Sequence, residues 1–157
     1  MQETLCVAVL DPADPVTLER VVEAVTDYRS LVIPCSSQHA LLSEINRKCV
    51  DAVVAGFRDP FEESFELLFQ VKAQTTSSEV IFLSEFDDQT RWFWVEAIQR
   101  GAFEFLPKPI DIVDLRQVLL RAAERFHSVR SKKRPTAKSI SAQALQGYLN
   151  KAVGGAG

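Results

Sequence analysis

An apolar run too short for a helix, followed by a segment with helical spacing, occurs five times between Thr4 and Arg130. "TLCVAVLD" opens the series as a continuous apolar run, the pattern of a strand covered on both faces. "DPVTLERVVEAV" follows, with Asp14 as a cap, Pro15 at the first helical position, and Leu18, Val21, Val22 and Val25 along one side. The unit then repeats. "SLVIP" precedes the serine-capped "SSQHALLSEINRK", whose Ala40, Leu41, Leu42 and Ile45 supply an apolar side. "DAVVAG" precedes "PFEESFELLFQVKAQ", where Phe61, Phe65, Leu68, Phe69 and Lys72 step at three and four. "EVIFLS" precedes "DQTRWFWVEAIQRG", which Gly101 stops, and "FEFL" precedes "DIVDLRQVLLRAAERFHSVR", with Leu115, Val118, Leu119, Ala122 and Phe126 inward. Strands apolar on both faces need helices on both sides, so the expected fold is an α/β doubly wound parallel sheet of five strands with right-handed crossovers.

A chain of 157 residues, 46% of them hydrophobic, is long enough for one domain with a real core. The composition changes after residue 129. Residues 1–129 read as the domain, and 130–157 as a basic linker followed by a flexible or partly helical tail, in which Gly147 interrupts "SAQALQGYLNKAV". A net charge of −3 gives no general polyanion-binding surface, and Arg130, Lys132, Lys133 and Arg134 form a short cluster without interleaved aromatics, read as a solvated hinge. Nucleic-acid contact is therefore expected only through an attached domain or weakly through the tail. No run of eighteen apolar residues and no secretory leader pattern occur, so no membrane association and a cytoplasmic location are expected. Cys6, Cys35 and Cys49 have neither the even count of a disulfide framework nor a CxxC spacing and read as reduced packing residues. His39 and His127 fall on different helices and make no metal site together.

Chemistry in an open parallel sheet gathers at the carboxyl ends of the strands. Asp11 follows the first run, Ser84 ends "FLS", and Lys108 lies in "GAFEFLPKPID". With five strand–helix units, these features resemble the receiver domain of two-component response regulators over roughly residues 5 to 129, most specifically in "EAIQRGAFEFLPKPID". The resemblance implies the flavodoxin-like (βα)5 fold with strand order 2-1-3-4-5. It further implies a phosphorylated aspartate on strand three, acidic residues after strand one that hold magnesium, a hydroxyl residue on strand four and a lysine on strand five that read the phosphoryl group. By position Ser84 matches the hydroxyl residue, Lys108 the lysine, Phe105 the aromatic residue that reports the state, Pro109 the proline that follows a cis peptide bond, and Asp11 one of the acidic pair, with Asp14 a second candidate.

The phosphoacceptor position falls on Gly56, which cannot form an acyl phosphate. Glu85 stands after Ser84 where the family usually has a small residue; its carboxylate repels phosphate and is a candidate partner for Lys108. Acceptor, metal pair and access position all depart in the same direction. The expected protein is therefore a degenerate, non-enzymatic receiver that regulates through protein contacts or dimerisation, as the amino-terminal module of a transcription regulator. No cofactor is expected, and magnesium, needing several oxygen ligands, is expected to bind weakly if at all. The alternative is a phosphorylation-dependent receiver using a displaced aspartate, Asp11 or Asp59. A third reading, a small-molecule or nucleotide module with Lys108 as anion contact, lacks a glycine-rich phosphate loop. If Phe93, Trp94 and Ala97 face the sheet, the 100° step puts Trp92 and Val95 outside. An exposed tryptophan suits an interface, and the family's habit of pairing through the fourth helix, fifth strand and fifth helix implies a homodimer or a protein partner there.

Overall fold

Each apolar run forms a strand in the computed structural model, which describes residues 4–57, 60–75 and 77–132, with side chains as far as residue 124. The elements are β1 (Leu5–Leu10), α1 (Pro15–Ala24), β2 (Ser30–Pro34), α2 (Gln38–Arg47), β3 (Ala52–Gly56), α3 (Phe61–Gln74), β4 (Glu79–Glu85), α4 (Asp88–Gln99), β5 (Glu104–Lys108) and α5 (Ile112–Lys132). All neighbouring strands are parallel, in the order β2-β1-β3-β4-β5, the flavodoxin-like receiver topology expected from the resemblance. A proline ends edge strand β2 (Pro34), and another lies within edge strand β5 (Pro107).

Side chains alternate across the strands, so one sheet can serve two cores. Val7, Val9, Val54, Ile81 and Leu83 pack with Val21 and Ala24 of α1 and Leu115, Val118 and Leu119 of α5. Ala8, Val53, Ala55, Phe82 and Phe105 face the other way, onto Leu41 and Ile45 of α2, Phe65 and Leu68 of α3 and Ala97 of α4. Each fully buried Val, Leu or Phe contributes about 1.5–3 kcal/mol, so continuous apolar strands are stable only with both faces covered.

Local signals act where the residues place them. Asp14 Oδ1 accepts from Val16 N at 3.1 Å and Ser37 Oγ from Ala40 N at 3.1 Å, each satisfying a first-turn amide. Gly101 has φ 110°, a conformation that side chains disfavour, and lets its N–H reach Ile98 O at 3.1 Å to close α4.

Two residues leave the faces expected for them. Val22 and Phe69 are exposed. The buried stripe of α1 runs through Thr17, Val21 and Ala24, and Val22 lies about 100° beyond Val21. That of α3 follows Phe61, Ser64, Leu68 and Val71, with Phe69 about 100° beyond Leu68. α5 continues to Lys132, past residue 129 where the composition placed a boundary. Phe126, His127 and the basic cluster have side chains outside the described residues; His39 is exposed on α2. Among the described residues no helix is long and apolar enough to cross a membrane.

Candidate functional site at the carboxyl edge

The register of the sheet brings the singled-out residues together. Leu10 pairs with Ala55 and Gly56 with Leu83, so Asp11 emerges beside Gly56; Ser84 pairs with Pro107 and Glu85 with Lys108. Asp14, Phe57, Ser84, Glu85, Asp87 and Lys108 help line one cleft of about 450 Å³.

Asp11 fills the place above Gly56. A β-carbon built on Gly56 would lie 2.7 Å from Asp11 Cγ, closer than real β-carbons come, and 3.0 Å from its Oδ2, a tight contact. The Asp11 side chain is 1% exposed. Its Oδ2 accepts from Thr17 Oγ1 at 2.7 Å and from Lys108 Nζ at 2.7 Å. Lys108, 15% exposed, also donates to Asp14 Oδ2 at 2.8 Å. One ammonium thus joins two carboxylates of the β1–α1 turn, short charge-assisted bonds in a place with little water.

This pairing corrects the expectation for Glu85. Glu85 is exposed and makes no ion pair among the described residues, while Lys108 turns to Asp11 and Asp14. Two carboxylates at the preceding turn hold the ammonium more favourably than one solvated glutamate. Ser84 is buried, and its hydroxyl donates to Glu85 O at 3.1 Å. The Lys108–Pro109 peptide is cis. Asp59 lies outside the described residues.

The magnesium ion of such sites demands near-octahedral oxygen ligands. The residues here do not fit it: the Lys108 ammonium stands between Asp11 and Asp14, and β3 ends in a residue without a carboxylate. Among the described residues no group of three or more His, Cys, Asp or Glu could hold a metal ion.

Beneath the cleft lies a cluster of rings. Phe57, buried, stacks on Phe61 at 5.0 Å between centroids and meets Phe82 and Phe105 edge-on, each at 5.0 Å. Phe105 is buried too and stacks under Trp94 at 5.4 Å, and Trp94 meets Phe86 edge-on. Offset and edge-to-face pairs of this kind add about 0.5–1.5 kcal/mol each beyond area burial. The cluster runs without a gap from the end of β3 to α4.

On the outside of α4, Trp92 is 78% exposed and Val95 54%, with Ile98 also exposed, and Phe86 is exposed just before the helix. Ala97 is fully buried, and Phe93 and Trp94 pack partly buried against the core. α4 begins on Asp87, whose Oδ1 accepts from Thr90 Oγ1 and Thr90 N, both at 2.7 Å. The bond from the Thr90 hydroxyl, seconded by its amide, holds the Asp87 carboxyl below its ordinary 3.8. At the opposite edge of the sheet, burial first and the Asp51 charge second push the Cys6 thiol up to about 11, so it stays protonated and inert.

Sequence reasoning passed over Thr17 and Phe57. A hydroxyl residue in the first turn of α1, on the stripe of Val21, was the signal for Thr17. An aromatic residue directly after Gly56 was the signal for Phe57.

No protein-family model matches the chain. It is 28% identical over 117 residues to the DNA-binding transcriptional regulator NtrC of Proteus hauseri, covering 73% of this chain and 24% of that protein. It is 30% identical over 90 residues to NtrC of Klebsiella pneumoniae, covering 57% of this chain and 19% of that protein. The chain thus spans a quarter or less of the length of these curated relatives. Among solved structures, a response regulator receiver domain protein from Clostridium thermocellum superposes with a TM-score of 0.67 at 24% identity, over 80% of this chain and 98% of that one. The chain therefore has the fold of a response-regulator receiver domain and is similar in sequence to NtrC.

Proposed function

We propose that this chain is an atypical receiver module, related to that of NtrC-type regulators, which acts through protein contacts and not through aspartyl phosphorylation. The observation that carries this reading is that Gly56 replaces the acceptor and the Asp11 carboxylate crowds the place that a side chain at Gly56 would enter. A phosphoryl group needs an accessible carboxylate and a cation to neutralise it. Gly56 supplies no carboxylate; Asp11 is nearly inaccessible, and its Oδ2 already accepts two hydrogen bonds.

The module is non-enzymatic in this reading and cytoplasmic. Its contact surface is the face of α4, β5 and α5, where Trp92 and Val95 offer apolar area for a second copy or a partner protein. The resemblance to a DNA-binding regulator, spanned only in part, supports an attached output domain as the route to nucleic acid.

Intact mass after incubation with magnesium and acetyl phosphate, beside an active receiver, tests the reading. No added phosphoryl group is expected. Addition of one group would overturn the reading and favour Asp11 or Asp59 as a displaced acceptor.

A further inference from the structure

We infer that the chain's own carboxyl-terminal segment, residues 142–153, is the occupant of the apolar stripe on α4 and shields Trp92 until a partner displaces it. The inference rests on the reading of that face as a contact surface and names what covers it. Trp92 is the most exposed large apolar side chain among the described residues, and Val95 and Ile98 follow it at steps of three along the same helix. The three span about 9 Å of α4, the footprint of one short helix. Only one of them is aromatic, so the stripe falls well short of the ~800 Å² that each partner of a stable dimer buries.

The sequence beyond α5 holds a matching stripe. In "AQALQGYLNKAV", residues 142–153, the apolar Ala142, Leu145, Tyr148, Leu149, Ala152 and Val153 recur at three and four. At 100° per residue they fall on one half of a helix, and Gln143, Gln146, Gly147, Asn150 and Lys151 on the other. Gly147 lowers helix propensity by about 1 kcal/mol against alanine but removes nothing from the apolar side. A helix this short is marginal alone in water and needs an apolar face to lie on.

The chain can deliver this segment to α4. α5 ends at Lys132, and Pro135 disfavours helix in the residue before it, which leaves 133–141 as a connection that reaches up to about 30 Å. α4 and α5 flank edge strand β5 from opposite faces of the sheet. Both run against the parallel strands, so α5 ends at the same edge of the sheet as the Gln99 end of α4. A segment entering there lies antiparallel to α4, and its 12 residues match the 12 of that helix. Tethering gives it an effective concentration in the mM range, so a contact too weak to hold a second copy still closes within one chain. Access to Trp92 is then the step that a partner has to win.

The test is acrylamide quenching of Trp92 fluorescence in the full chain carrying Trp94→Phe, with and without Leu145→Asp and Leu149→Asp. The quenching constant is expected to rise at least about twofold with the tail substitutions, because a carboxylate cannot be buried unpaired and the segment detaches. Equal constants overturn the inference. Shielding that grows with protein concentration also overturns it, in favour of a second copy on α4. If the Trp94→Phe protein does not fold, iodide quenching of the chain with both tryptophans carries the same comparison, since Trp92 is exposed and Trp94 is packed against the core. Native protein that gains a phosphoryl group from acetyl phosphate refutes the phosphorylation-independent reading, whereas equal quenching refutes only the role of the tail.

Discussion

Trp94 of α4 stacks on Phe105 of β5 with 5.4 Å between ring centroids and 27° between planes. Phe105 stands three residues before Lys108 on the same strand, so one short segment carries both the ion-paired ammonium and the ring beneath α4. On the other side Phe105 meets Phe57, the residue after Gly56. The position of α4 is therefore set by buried rings that adjoin the carboxyl edge.

Phe105→Ala should lower stability by about 3–5 kcal/mol, the cost of removing a buried phenylalanine. The urea midpoint measures this. In a Trp92→Phe background the same change should shift the remaining tryptophan emission to the red, because Trp94 loses its stacking partner and gains water. Unshifted emission in folded protein would show that Phe105 does not hold Trp94.

Gly56→Ala should destabilise by about 1–3 kcal/mol, because its β-carbon drives the Asp11 carboxylate away from Thr17 and Lys108. The two positions are coupled, so in an Asp11→Ala background the cost should fall by about 0.5 kcal/mol or more. Additive effects in that double-mutant cycle would show that Asp11 does not occupy the space.

Trp92→Ala should leave stability within about 0.5 kcal/mol, since the side chain is 78% exposed and holds no core position. If the α4 face is the docking surface, the same change should weaken self-association or partner binding by more than about 1 kcal/mol. Sedimentation velocity over a concentration series reads the first quantity. An association constant identical in both proteins removes the interface from consideration.

Asp87 gives the pH dependence a direction. Its carboxyl titrates lower in the folded chain than its ordinary 3.8, so the stability it contributes is complete above 3.8 and is lost as pH falls below that toward the folded value. Thr90→Val removes the hydroxyl donor and keeps the amide. The Asp87 carboxyl midpoint, followed by carbon NMR, should rise in that variant without reaching 3.8. No change would mean that the amide alone sets the shift.

Strands and helices were legible because continuous apolar runs admit few arrangements, and Asp14, Ser37 and Gly101 act through neighbours in the chain. The exposure of Trp92 and Val95 followed from the 100° step alone. Val22 and Phe69 were misread since periodicity reports a stripe without locating its centre, which the packing of each helix on the sheet decides. Gly56, Asp11 and Lys108 were placed by strand ends and motif, yet the choice of Lys108 between Glu85 and Asp14 was not. Asp14 is 94 residues away, and only side-chain geometry at the finished edge brings its carboxylate within reach.

The prolines on the two outer strands limit how this sheet can meet another protein. Pro34 and Pro107 have no amide hydrogen to give, which blunts both open edges against an added strand. A partner that docks on the helix faces reads shape and side-chain chemistry and leaves the ladder at five strands. Growth by strand addition, the route by which sheets extend without limit, is the one mode of association that these two residues disfavour.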